Sequence, residues 1–160
     1  STLTRSVNEL YMYDINTDFI IVDAGYYTND NIEELYFCEI DFLTRLPEKY
    51  DIYREVVEKY AGDLQKEENM IRYNGRYVYI KRAEVKIGSK GHTAYAYLGY
   101  DIDLGNDESH KAVKRAEKNK STPAELHKEL QKTGLFVIIS SLSFSADEIL
   151  PAYYTRQLGE

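Results

Sequence analysis

The 160-residue chain has no tryptophan, one cysteine, two methionines, three prolines and three histidines. A lone cysteine cannot close an internal disulfide, so a disulfide-stapled fold is excluded. His92, His110 and His127 are scattered, and none stands near Cys38 at a metal-ligand spacing, so nothing in the sequence suggests zinc. Cys38 falls on an expected helix and is expected to be a packed core thiol. No apolar run approaches the length that crosses a bilayer, and no signal peptide opens the chain. These absences imply a reducing, cytoplasmic setting without a membrane partner. The chain begins at Ser1 without methionine and ends within an expected helix, so it is expected to be a segment of a longer protein.

What is abundant is tyrosine, with 16 residues, and acid, with a net charge of −7. The composition is that of a globular domain, 43% hydrophobic and 29% charged, long enough for one core with an insertion. The net charge argues against a simple nucleic-acid binder, but the charge is unevenly spread. Residues 69–100 hold Arg72, Arg76, Lys81, Arg82, Lys86 and Lys90 against one acid, Glu84. The flanking stretches are acidic.

Phe19-Ile20-Ile21-Val22 is an apolar run rich in β-branched residues, and it predicts a strand buried on both faces. Asp23 follows at once, then Ala24-Gly25, and Thr28-Asn29-Asp30 opens a helix over 30–38. Asp23 thus stands where a buried, central strand gives way to a helix, the edge of α/β sheets where ligands collect. The plainer reading is a turn or capping aspartate. Residues 3–13 predict a helix and 14–17 a turn. Residues 40–46 predict a second strand, parallel to the first and stopped by Pro47. Residues 48–62 predict a helix.

From Asn69 the period becomes two. Residues 70–73 and 77–80, joined by Asn74-Gly75, form a strong hairpin signal, and 92–101 predicts a further strand. The expected result is a small antiparallel sheet with one buried and one exposed face. One or two helices are expected over 107–133, with a capping box at Thr122-Pro123-Ala124-Glu125 and a stop at Gly134. Residues 135–139 predict a third buried strand. Ser145-Ala146-Asp147-Glu148 is another capping box and opens the last helix.

That helix places Tyr153, Arg156 and Glu160 on one face, since i, i+3 and i+7 are helical neighbours. A guanidinium can fork a phosphate and a carboxylate can hold a cation, although such a face is also ordinary on an amphipathic helix. The Tyr153-x2-Arg156-x3-Glu160 spacing resembles the start of the Y-x2-R-x3-E-x6-K signature of bacterial DDE-type insertion-sequence transposases. Thr17 to Ile32 resembles the segment around the second catalytic aspartate of the same family, and Phe42 to Pro47 the strand after it.

The resemblance implies a partial ribonuclease-H-like α/β core with an α+β insertion. Residues 1–47 would form the first part of the core, 48–133 the insertion with its antiparallel sheet over 69–101, and 134–160 the final strand and helix. It implies that Asp23 and Glu160 are catalytic metal ligands for Mg2+ or Mn2+, which would drive DNA cleavage and strand transfer. Tyr153 and Arg156 would contact DNA phosphates, and Arg72, Arg76, Lys81 and Arg82 of the basic sheet would add DNA contacts. The partners implied are transposon-end and target DNA, with a homodimer as one arrangement. The family's first aspartate and its signature lysine have no counterpart here, so the segment alone is expected to be inactive. The alternative is a non-enzymatic α/β module that binds protein or nucleic acid through the tyrosine-rich basic sheet. A phosphohydrolase with Asp23 as nucleophile fits less well, for no second acid sits two residues away and no glycine-rich phosphate loop is present.

Overall fold

Residues 19–22 are all buried, as their unbroken apolar character requires, and Ile20–Ile21 forms the first strand, β1. The computed structural model describes residues 19–158, with 155–158 as helix backbone only; the helix expected over 3–13 and the turn over 14–17 lie outside the described residues. Helix α1 (Asn29–Phe37) is capped by the Thr28 hydroxyl, which accepts from the Asn31 N–H, and buries Ile32 and Leu35. Strand β2 (Phe42–Arg45) pairs in parallel with β1. Helix α2 (Asp51–Tyr60) follows, and then the hairpin of β3 (Met70–Tyr73) and β4 (Arg76–Ile87). At its turn Asn74 and Gly75 both take positive φ (55° and 76°), the geometry that a two-residue hairpin with the right-handed twist needs.

Strand β5 (His92–Asp101) leads into α3 (Ile102–Asn119), and α4 (Pro123–Leu130) starts from the complete Thr122/Glu125 capping box. Strand β6 (Leu135–Ser140) and helix α5 (Ala146–Leu158) close the described chain. The strands form one six-stranded mixed sheet in the order β1-β2-β6-β5-β4-β3. Among the described strands only β1 and β2 are parallel; the other pairings are antiparallel. The fold is mixed α/β.

Several expectations need correction. The strands of residues 70–101 do not make a separate small sheet. Strand β5 pairs with β6 along six residue pairs, from Tyr95↔Ser140 to Tyr100↔Leu135, and so extends the sheet that begins with β1 and β2. Nor does this part have one wet face, since side chains from β4 and β5 enter hydrophobic clusters on both sides. Strand β1 is an edge of the described sheet and not central, because β2 spends its other side on β6. Strand β4 continues seven residues past Ile80; Lys81, Arg82, Glu84 and Lys86 hide that continuation, since a half-buried strand tolerates charge on its outward positions. Helix α3 starts at Ile102, where the Asp101 carboxylate accepts from the Leu104 N–H. Cys38 is exposed at the C-cap of α1, one residue past the end of the helix and beyond the buried Ile32 and Leu35, and is not a core thiol.

Two layers of packing result. On one face α1 and α2 cover Ile20, Val22, Phe42, Leu98, Val137 and Ile139. On the other the sheet wraps around α5, whose Ile149, Leu150 and Tyr153 meet Phe19 and Ile21 of β1, Leu43 of β2, Tyr97 of β5 and Val78 and Ile80 of β4. The Tyr97 phenol holds the entry to α5: it donates to the Phe144 carbonyl at 2.6 Å and accepts from the Phe144 N–H at 2.7 Å.

Candidate functional site

Side chains alternate along a strand, so Phe19 and Ile21 share the α5 face, and Asp23 is the next position in that alternation. Asp23 is exposed, and its Oδ1 accepts from the Gly25 N–H at 2.7 Å, capping a short 3-10 turn over Ala24–Tyr26. It is therefore a turn aspartate, whatever else it does. The ladder pairs Ile21 with Leu43, and the Val22 N–H continues it by donating to the Leu43 carbonyl at 2.9 Å. The pairing ends there: the chain turns away at Asp23 into the 3-10 segment, while β2 continues to Arg45.

Arg45 was not among the residues expected at a site, yet it is held among aromatic side chains. Its Nη2 donates to the Tyr154 phenol at 2.6 Å. Its guanidinium lies 4.5 Å from the centroid of the Phe136 ring and 5.6 Å from that of Tyr153. Among the described residues it has no carboxylate within ion-pair distance. The position of Phe136 depends on a glycine. Gly99 is its direct ladder partner, and a Cβ there would come within 2.1 Å of the ring. A bare backbone at residue 99 lets the ring lie down on β5, and the ring then carries the guanidinium by cation–π attraction.

Beside Arg45 the wrapped sheet leaves a cavity of about 380 Å3, lined by Arg45, Tyr73, Arg76, Asp101, Phe136 and Tyr154 among others. The Tyr73 and Tyr154 rings stack with centroids 6.0 Å apart and planes 19° from parallel. Arg76 is already neutralised, by Asp101 and by Asp103, the latter 3.4 Å from its Nε.

The four basic residues expected on one DNA-facing surface are divided by the strand alternation. Arg76 and Arg82 belong to the α5 face, where Arg82 donates to the Ser143 hydroxyl and covers the Tyr95 ring at 4.7 Å. Lys81 alternates to the opposite face; so does Arg72, which lies 6.0 Å from the ring of Tyr77, its partner across the hairpin. Tyr153 is a core residue, 6% exposed, because the apolar side of α5 turns into the wrapped sheet. Arg156 lies in the last turns of α5, and Glu160 lies outside the described residues. The structure therefore brings Arg45, Tyr153 and Tyr154 together, places Asp23 just past the end of the neighbouring strand β1, and leaves Arg72 and Lys81 on the opposite face.

A second cluster had no local signal, since its members are 59 residues apart. Glu33 of α1 meets His92 Nε2 at 2.5 Å, accepts from the Lys90 N–H at 2.8 Å and from the Ser89 hydroxyl at 3.2 Å. The His92 ring stacks on Tyr36 at 4.1 Å. The hydrogen bond from His92 does most to hold the Glu33 carboxyl below its usual range; burial opposes it to a lesser degree, and the Lys90 N–H adds to the lowering. The cluster clamps α1 to the β4–β5 turn.

The described residues do not by themselves fit a divalent-metal centre. Among them no three His, Cys, Asp or Glu side chains are grouped to hold an ion, and one Asp23 oxygen is engaged by Gly25. Among them, too, no helix is long and apolar enough to cross a membrane. Comparison with family models, curated proteins and solved structures gives no match to this chain.

Proposed function

We propose that the chain is the part of a DDE transposase that carries the second and third catalytic carboxylates, Asp23 and Glu160, on a ribonuclease-H-like core. The observation that carries this reading is the tie between the two motif-bearing elements. Arg45, on the strand that runs parallel to the one preceding Asp23, donates to Tyr154 and lies beside Tyr153 on α5, the helix that continues to Arg156. The parallel β1–β2 pair joined through α1, with α5 packed on the Asp23 side, supports the same arrangement.

In this reading Asp23 and Glu160 are carboxylates for a magnesium or manganese ion, completed by acid that the described residues do not supply. Arg156 meets DNA phosphate, and Tyr153 holds Arg45 and Tyr154 from beneath. The alternative, a module that binds through a basic tyrosine-rich sheet face, is less favoured, because its four cations lie on two faces.

The test is strand cleavage. The 160-residue chain with Mg2+ or Mn2+ is expected to leave duplex DNA uncut. A longer protein containing it, with an upstream acid-bearing strand, is expected to nick its cognate ends. In that protein Asp23→Asn should lower cleavage by at least about a thousandfold while leaving the melting temperature unchanged, the scale expected for a metal-holding group. Near-normal cleavage by Asp23→Asn would refute the assignment.

A further inference from the structure

The cavity beside Arg45 is a built pocket whose charge is unbalanced on one side. Its floor is buried and apolar: Val78, Phe136 and Leu150 are 5%, 8% and 3% exposed. Its wall is aromatic, the stacked pair Tyr73 and Tyr154. Its two cations differ. Arg76 is matched by Asp101 and Asp103, whereas Arg45 is partly buried against three aromatic rings with no carboxylate among the described residues.

Partly burying a cation without a counter-ion costs free energy that a bound anion would recover. The Tyr154 oxygen receives the Arg45 N–H, so its own hydrogen remains free to donate. A guanidinium, a phenol and the Asn74 amide on the same lining offer more donors than a carboxylate's two oxygens need; a phosphate has three. A volume of about 380 Å3 is in the range of small-ligand sites, large enough for a ring as well as its anion.

We propose that this pocket binds a planar ring carrying a phosphate monoester or diester, a single nucleotide unit, with the phosphate on Arg45 and Tyr154 and the ring against Tyr73 and the apolar floor. The nucleotide comes either free or as one unpaired unit of a strand. The inference rests on the pocket alone and not on strand-transfer chemistry.

Isothermal titration of the 160-residue chain tests it with thymidine 5′-monophosphate, thymidine, inorganic phosphate, a single-stranded oligothymidylate and a duplex. Thymidine 5′-monophosphate or the single strand should bind saturably, with thymidine and inorganic phosphate at least about tenfold weaker, since each engages half of the pocket. Arg45→Gln should weaken nucleotide binding about tenfold or more. Arg45→Lys should fall between, having the charge without the fork, and Tyr154→Phe should lose several-fold. Should Arg45→Gln fail to fold, Arg45→Lys and Tyr154→Phe carry the comparison.

Equal affinity of mononucleotide and strand assigns a free nucleotide; a strand about tenfold tighter assigns an unpaired unit. Absence of saturable binding by both, or binding that Arg45→Lys and Tyr154→Phe leave unchanged, overturns the proposal. So does a duplex that binds as well as the strand and is indifferent to Arg45. No outcome depends on cleavage, so failure here and failure of the transposase reading are separate results.

Discussion

The two faces of the sheet bury similar side chains but are closed differently. Under α1 and α2, Phe42, Ala94, Ala96, Leu98 and Ile139 are each 0% exposed, and the clefts on this side lie at its margin, beside Leu64 and along α2. Under α5, Leu43, Tyr97, Ile138 and Ile149 are buried as completely, yet the end beside Arg45 stays open as a cavity. The difference is one of cover. Among the described residues, the helix on the concave side of the six-stranded sheet is α5, with 13 residues or about 20 Å at 1.5 Å per residue. Two helices and a loop share the convex side. The cations beside these openings differ: Lys49, Lys128 and Lys132 at the α1–α2 side are exposed, whereas Arg45 is half-buried against aromatic rings.

If the closed face is the stability reservoir, Phe42→Ala should be the most damaging substitution, costing about 3–5 kcal/mol in urea-induced unfolding, because the ring is fully buried and its neighbours cannot collapse onto the void. The open face should respond less, and at its cavity first. Gly99→Ala should cost about 1–3 kcal/mol, since the new methyl displaces the Phe136 ring, and it should also weaken nucleotide binding, since Arg45 rides on that ring. Unchanged binding in Gly99→Ala would break the proposed link from backbone to guanidinium. Tyr97→Phe should cost about 1–2 kcal/mol by leaving the Phe144 amide and carbonyl without their shared phenol.

The remaining tests use pH. Glu33 has a folded-state carboxyl below its usual value, so it contributes stability above its unfolded value of about 4.5, and that contribution is lost as pH falls through the lower folded value. Urea unfolding between pH 6 and pH 3 should therefore fall less steeply in Glu33→Gln than in the parent chain; identical slopes would remove the clamp from the stability of α1. At the alkaline end, burial pushes Tyr27, Tyr36 and Tyr53 up to about 12, all three on the closed face. A phenolate absorbance titration should show a late-ionising group that disappears on unfolding. Their neutral forms stabilise the fold below pH 10, and that contribution fades as pH rises toward 12.

Local chemistry made much of the secondary structure legible. The apolar run before Asp23, the Asn74-Gly75 turn, the Thr122/Glu125 box and the apolar block from Leu135 each act within a few residues, and each forms where its pattern places it. The candidate site was less legible. Asp23 stands at a strand end as its neighbours imply, but Arg45 looked like any strand-terminal arginine, and Tyr153 looked like a surface contact. Nothing local to Gly99 says that Phe136 will cover it, and nothing local to Glu33 says that His92 will meet it. Sequence by itself determined where the strands begin or centre, apart from the second half of β4, where the hairpin turn and the Thr122 cap fall, and that Asp23 follows a buried strand, because those outcomes depend on period and on neighbours in the chain. Only the tertiary structure decided that the tyrosine-rich strands join the core sheet through β5 and β6, that the basic side chains part to two faces, and that Arg45 is left beside a cavity. Strand order, face and the surroundings of Arg45 arise between residues far apart in the chain, from the Tyr100↔Leu135 pair to Arg45 and Tyr154, 109 positions apart, where packing and not local preference sets the partner.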